Sequence, residues 1–276
     1  MNPLVDVVVL NWNGWQDTLT CLNSLQGLNY PNFRLLLVDN GSSDGSIEHI
    51  RAAMPSLELL PTGVNLGFGG GCNVGIRHAQ SRGADYVWLI NSDATVDAGA
   101  LSALVRMAEA NRLVGAVGSV LYEAEARTQI QLWGGGTVDL RLGRSQHRLS
   151  PGAIDFVSGA SVLLRRAALE VVGLFDEKSF FMYWEDTDLG FRLRQGGWQL
   201  AVAQDSRVWH KQSASLGKGS PFLDEYFTRS ALRFFKRHAP TPQIAIVMLL
   251  GRMLVKRLLL GQFNRIKAVL KGALEA

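Results

Sequence analysis

"YVWLINSDAT" (86–95) is an apolar run that stops abruptly on Asn91, Ser92 and Asp93. A segment greasy enough to lie buried in a sheet ends on one carboxylate between small polar residues. Two readings compete: a cap for the next helix, or an anchor for a metal held against something anionic. Asp97 is the better cap for a helix expected from 98 to about 111, which leaves Asp93 available for chemistry.

The chain on either side repeats the same unit. "LVDVVVL" (4–10) predicts a buried strand and is followed by the polar loop "NWNGWQD"; "FRLLLV" (33–38) predicts a second, ending in "DNGSSDGS". A brief "LELL" (57–60) leads into "NLGFGGGCN" and a helix to about Arg82, and "VGAVGSV" (114–120) closes the series. Strands alternating with amphipathic helices predict an α/β fold, with a mostly parallel central sheet flanked by helices. In such sheets ligands gather at the carboxyl ends of the strands. The polar clusters fall at those ends: Asn11 to Asn13, Asp39 to Asp44, Asn65 to Asn73, and Asn91 to Asp93. One pocket built by four loops is the expectation.

Composition narrows the function classes. The 276 residues are 47% hydrophobic and 19% charged with a net charge of +4, which is ordinary for a globular protein and excludes a polycation built to coat nucleic acid. Two cysteines, Cys21 and Cys72, lack metal-ligand spacing and suit a reducing compartment. The N-terminus has no basic segment before its apolar run, and "IAIVMLLGRMLVKRLLLG" is interrupted by Arg252, Lys256 and Arg257. A cytoplasmic protein, attached at most to a membrane surface, is expected.

Each loop carries a local chemistry. In "VDNGSSDGS", Asp44 is placed to cap the following helix and Asp39 to face a nucleobase or ribose. Gly67, Gly69 and Gly71 miss the G-x-G-x-x-G register, and no Lys follows them, so neither a dinucleotide fingerprint nor a Walker loop is present. What they predict is backbone approaching a ligand closely at a helix N-terminus. "FMYWEDTDLGFRLRQGGW" sets Glu185, Asp186 and Asp188 at a helix start behind an aromatic run. Asp188 with Arg192 reads as an i,i+4 pair supporting the helix, while a carboxylate desolvated by the aromatics can work as a base. His210 ends the apolar run "SRVWH" and suits a divalent metal if another ligand lies near.

Taken in order, "VVVLNWNG", "LLLVDNGSSDGS", "NLGFGGGCNVG", "WLINSDA", "VSGASVLLRR", "VGLFDE", "FFMYWEDTDLGFRLRQGGW" and "VWH" resemble glycosyltransferase family 2, nearest its rhamnosyltransferase-like branch. The likeness spans residues 4 to about 235. It implies a GT-A fold and inverting transfer of a sugar from a nucleotide diphosphate-sugar. A catalytic domain over 1–220 is then expected, with a Rossmann-like donor half to about 120 and an acceptor half over 121–220. By position, the resemblance makes Asp186 the catalytic base, Asp93 and His210 the ligands of Mg²⁺ or Mn²⁺, and Asp39 a nucleotide contact. Asn11, Asn13, Gly67, Asn73 and Asn91 join the donor pocket, and Trp184 with Glu185 is placed toward the acceptor. Many members carry Asp where this chain has Asn91, so the site is one charge short and the metal is expected to arrive with its donor.

The branch suggests dTDP-rhamnose as donor and a saccharide or lipid-linked acceptor, in polysaccharide or glycolipid assembly. A UDP- or GDP-sugar-dependent transferase of the same fold is the alternative, as is a non-catalytic nucleotide-sugar-binding subunit. The stretch 221–276 reads as a C-terminal amphipathic helical extension. From Thr241 on, its bases face the single acid Glu275, which predicts contact with the inner membrane surface; helices packed on the catalytic domain, or a dimer contact, are the plainer reading.

Overall fold

The computed structural model describes residues 2–211 and 220–276; the last stretch of the expected acceptor half, 212–219, lies outside them. The first part alternates β1 (Val5–Asn11), α1 (Trp15–Gln26), β2 (Phe33–Asp39), α2 (Ser46–Ala53), β3 (Glu58–Pro61), α3 (Gly67–Ser81) and β4 (Tyr86–Asn91). A short β5 (Ala94–Val96) follows, then α4 (Ala100–Ala110) and β6 (Val114–Glu123). The middle supplies β7 (Ile130–Trp133), β8 (Gly135–Asp139), β9 (Arg144–His147), β10 (Phe156–Val157), β11 (Ser161–Arg165) and α5 (Arg166–Val172). After these come α6 (Glu185–Gln195), β12 (Gln199–His210) and the terminal helices α7 (Pro221–His238), α8 (Pro242–Leu259) and α9 (Phe263–Leu274).

The main sheet runs β3-β2-β1-β4-β11-β6-β12-β5, with β7 on β6; β10-β8-β9 form a second, small antiparallel sheet. Strands β3, β2, β1 and β4 are parallel, as their alternation with helices requires. Strands β4 and β6 do not pair with each other: β11 enters antiparallel between them. Parallel pairing resumes between β6 and β12.

Period-2 burial divides the core. Val5, Val7, Val9, Leu37 and Trp88 face α1 and α4, whereas Val8, Leu36, Val38 and Leu89 face α3 and α6. The glycines expected to form a ligand loop lie inside the first turns of α3. A Cβ on Gly71 would come within 2.5 Å of Leu10, and one on Gly75 within 2.4 Å of Val8. Their absence lets α3 sit close on β1.

Two expected helix caps stand ahead of the cap position, Asp44 by one residue (Gly45) and Asp97 by two (Gly99). Asp97 accepts the Gly99 N–H at 2.9 Å and Asp44 accepts the Ser46 N–H at 3.1 Å, just ahead of α4 and α2.

The terminal helices pack on α6 through a third cluster containing Trp184, Phe191, Phe234, Phe235 and Leu249. Much of the tail's basicity is met internally. Arg257 and Arg265 both bind Asp224, Lys271 pairs with Glu225 at 3.0 Å, and Arg252 donates to the carbonyls of Leu142 and Gly143. Counting acids only after Thr241 overlooked Asp224 and Glu225 on α7. Among the described residues, no helix is long and apolar enough to cross a membrane.

Candidate active site

The two residues between β4 and β5 carry the chain from the middle of the sheet to its edge. There β5 pairs antiparallel with the end of β12, and His210 lies opposite Ala94. Asp93 therefore meets His210, with Oδ1 3.3 Å from Nε2 and both side chains 14% exposed. Gln131 fixes the ring. Its amide nitrogen donates to Glu123 (3.1 Å) and to the His210 carbonyl (3.1 Å), so its Oε1 receives His210 Nδ1–H at 2.7 Å. In the neutral imidazole, Nε2 then presents a lone pair toward a carboxylate and accepts from Asn91 Nδ2 at 3.2 Å. Two electron-pair donors facing one another at this distance suit a divalent cation, and the Gln131 contact is the outer-sphere support such a ligand needs. Among the described residues, no group of three or more His, Cys, Asp or Glu is placed to hold a metal ion by itself. A metal held here would complete its coordination with donor oxygens, which fits Asn91 contributing no charge.

Two adjoining cavities meet at this point. One, of about 380 Å³, is lined by Trp12, Asn40, Asn65, Gly67, Ser92 and Asp93, among others. Its neighbour, of about 390 Å³, is lined by Gln131, His147, Ser158, Gly159, Glu185 and Asp186, among others. Phe68, Asn91, Met182, Tyr183 and His210 line both. The Asp93–His210 pair and the carboxylates of α6 thus open on one continuous cleft.

Asp186 is held by three donors: the Gly159 N–H on Oδ2 (3.0 Å), and the Thr187 N–H (2.6 Å) and hydroxyl (3.1 Å) on Oδ1. Burial pushes its carboxyl above the usual range, opposed by these bonds and by the charge on His147. Glu185 is also pushed up, to about 8, by burial and then by the adjacent Asp186 charge. Among the described residues its Oε2 is buried without a hydrogen-bond partner. Asp186 has three donors to carry negative charge and Glu185 only its own backbone N–H, so the proton resides on Glu185 near neutral pH. Gly159 is required here, because a Cβ would lie 2.8 Å from Phe68.

The segment leading into α6 is bent for this purpose. Tyr183 and Trp184 both have positive φ (67° and 70°), a costly pair for bulky residues. The Trp184 ring holds the bend by packing on Phe227, Phe234 and Phe235, with centroids 5.7, 4.9 and 5.2 Å away. Below it, the buried Asp188 accepts from Arg192 (2.7 Å), Arg237 (2.8 Å) and His238 (2.8 Å). Burial works against its charge, but these partners more than offset that and hold its carboxyl below the usual range.

Several expected site residues lie elsewhere. Asn73 is 1% exposed and fully engaged with the Phe175 backbone and Glu177; it ties α3 to the 173–177 turn instead of lining the cleft. Trp184 is buried under α7, not offered to an acceptor, because the left-handed bend turns its ring inward. Asn11 and Asp39 are also buried: Asn11 binds Asp39 and Thr18, and Asp39 binds both the Ser42 N–H and hydroxyl. Asn13 joins them, donating its N–H to Ser42 and accepting from Ser43. This network shapes the loops beneath the cavity of about 380 Å³, whose lining on this side is Trp12, Asn40 and Asn65. Gly67 does reach the cleft, with φ 76° and Phe181 so close that a Cβ would collide with its carbonyl. Gln131, His147 and Gly159 were missed by sequence reasoning. Only Gly159, in the Ser-Gly break before an apolar strand, left a readable signal.

Comparison with known proteins agrees with this geometry. Residues 6–173 match the Glycosyl transferase family 2 profile. The chain is 32% identical over 245 residues to an N-acetylglucosaminyl-diphospho-decaprenol L-rhamnosyltransferase of Mycobacterium tuberculosis (strain ATCC 25618 / H37Rv), covering 79% of each. Its fold resembles a Pyrobaculum calidifontis mannosyltransferase solved with GDP-Man and Mn²⁺ (TM-score 0.65, 18% identity, 100% of this chain and 76% of that one). It also resembles S. aureus TarS in complex with UDP-GlcNAc (TM-score 0.63, 18% identity, 96% and 79%). A GT-A-like sheet, the matched profile and a relative of this identity lead to one assignment: the chain belongs to glycosyltransferase family 2 and is a glycosyltransferase.

Proposed function

We propose that the protein transfers a sugar, with inversion, from a nucleoside diphosphate donor to a hydroxyl of a lipid-linked saccharide. The observation that carries this reading is the single cleft in which the Asp93–His210 pair stands where the two halves meet and Asp186 lines the half beyond it. The nucleotide occupies the cavity of Trp12, Asn40 and Asn65, with its diphosphate toward Asp93. Asp93 and His210 are the protein's ligands for Mg²⁺ or Mn²⁺, and such a cation supplies charge neutralisation for the departing diphosphate. On the opposite side, Asp186 accepts the proton of the acceptor hydroxyl as its oxygen attacks the anomeric carbon. Attack from the face opposite the leaving group inverts the configuration. No covalent intermediate is needed, and Gly159 with Thr187 keeps Asp186 aimed.

The donor favoured is dTDP-rhamnose, and the acceptor a saccharide on a lipid diphosphate, because the Mycobacterium relative is named for rhamnosyl transfer to such a molecule. A cytoplasmic, membrane-surface location is supported by α8, which exposes Ile244, Val247, Met248, Val255, Leu258 and Leu259. The apolar stripe replaces the basic face as the reason for this placement. A thermal-shift panel of dTDP-, UDP- and GDP-sugars with and without Mn²⁺ tests the reading. One nucleotide sugar is expected to raise Tm by several degrees, and only with metal. No stabilisation by any of them would overturn it.

A further inference from the structure

A third cavity, of about 320 Å³, lies between α7 and α8 and is lined by Tyr183, Leu223, Asp224, Phe227, Met253, Lys256 and Arg257. Tyr183 also lines both halves of the catalytic cleft, and Leu223 lines its donor half, so the third cavity borders the reaction site. One wall is apolar and the other is cationic. Asp224 binds two guanidiniums, Arg257 at 2.9 Å and Arg265 at 2.9 Å, which leaves one positive charge uncancelled. Lys256 adds a second, and its ammonium has no hydrogen bond or ion pair among the described residues.

The cavity is poorly suited to the donor, whose diphosphate has Asp93 and His210 some way along the cleft. It is suited to an anion that carries an apolar chain. Along α8, Val255, Leu258 and Leu259 are exposed within one turn of Lys256, beside the cationic wall. We propose that this cavity binds the diphosphate of a lipid-linked acceptor, with Lys256 as its principal cation and Leu223, Phe227 and Met253 against the first carbons of the lipid. The assignment rests on the lipid-linked acceptor of the previous section and gives that acceptor a second anchor. Its sugar hydroxyl lies at Asp186 and its diphosphate lies beyond Tyr183.

Calorimetry of the full chain with geranyl diphosphate, in EDTA and without nucleotide sugar, tests it. Chelation prevents the Asp93–His210 pair from recruiting the probe through a metal. Geranyl diphosphate is expected to bind; Lys256→Glu weakens it roughly tenfold or more, and Lys256→Arg restores most of the affinity. Asp93→Ala has no effect, and geraniol shows no dependence on residue 256. Inorganic pyrophosphate follows the same Lys256 dependence at lower affinity. Because Lys256 is exposed, its variants keep the wild-type Tm. Absence of binding to the wild-type chain overturns the proposal, as does equal affinity in Lys256→Glu or loss in Asp93→Ala. It is also overturned if Lys256→Glu weakens only the binding of phosphatidylglycerol vesicles, which would make Lys256 a headgroup contact. Neither donor nor turnover is required, so failure here leaves the transferase reading standing, and failure of the nucleotide-sugar panel leaves this result interpretable.

Discussion

The loops under the donor cavity and the bend before α6 are opposite kinds of construction. Below the donor, the side chains of Asn11, Thr18, Asp39 and Ser42 spend their hydrogen bonds on one another. At the bend, two bulky residues stand at positive φ, and Trp184 Nε1 and Glu185 Oε2 are buried without partners among the described residues. Buried polar groups are normally paired, and exceptions concentrate where function requires them. The first region is finished before any ligand arrives. The second is kept in an expensive arrangement by α7, so the terminal helices help to set where Glu185 and Asp186 stand.

The contrast is broken most forcefully by paired substitutions. Asp186→Asn is expected to lower kcat by roughly 10³-fold, since it removes the proton acceptor but keeps shape and most hydrogen bonds. Donor affinity in the presence of Mn²⁺ should not change. Asp93→Ala should do the reverse at the binding level, abolishing the metal-dependent thermal shift produced by the nucleotide sugar. Calorimetry with donor and Mn²⁺ separates the two; a loss of donor affinity in Asp186→Asn would make that carboxylate structural.

A smaller effect is expected at the support. Trp184→Ala removes the ring that packs on Phe227, Phe234 and Phe235, and should cost about 3–5 kcal/mol of unfolding free energy in denaturant titrations. The surviving folded fraction should show reduced kcat with donor KM unchanged, because the bend aims Glu185 and Asp186 but not the loops at Asn40 and Asn65. A raised donor KM with normal kcat would show that the bend serves the donor instead.

These two regions were unequally legible in the sequence. Alternating apolar strands and helices, each strand closing on polar residues, gave the parallel β1–β4 unit and the place of Asp93, because both follow from local periodicity. The antiparallel entry of β11 depends on pairing partners some 70 residues apart, which no local pattern encodes. Asn73 and Trp184 were misplaced for a related reason. A polar residue among glycines and an aromatic beside carboxylates look functional in one dimension, and only the packing of the 173–177 turn and of α7 decides which way they face. Asp224 makes the same point about charge: several of the tail's basic residues are paired with acids that precede them in the chain.

The finest test concerns the proton shared at the bend. Burial raises the Glu185 carboxyl to about 8 in the folded chain, against an ordinary value near 4.5. Between those values the folded state retains a proton that the unfolded chain has released. Stability from this group is therefore fully present below about pH 4.5, declines as pH rises toward 8, and is gone above it. Glu185→Gln cannot ionise, so its Tm should decline less than that of the wild type between pH 5 and about 8, with the two differing most at the alkaline end. The same substitution should leave turnover at pH 7 within about threefold, because a neutral amide resembles the protonated acid in shape and charge. Parallel Tm profiles would mean that Glu185 is ionised throughout. The negative charge at the bend would then be shared between the two carboxylates, and the assignment of the base to Asp186 alone would have to be abandoned.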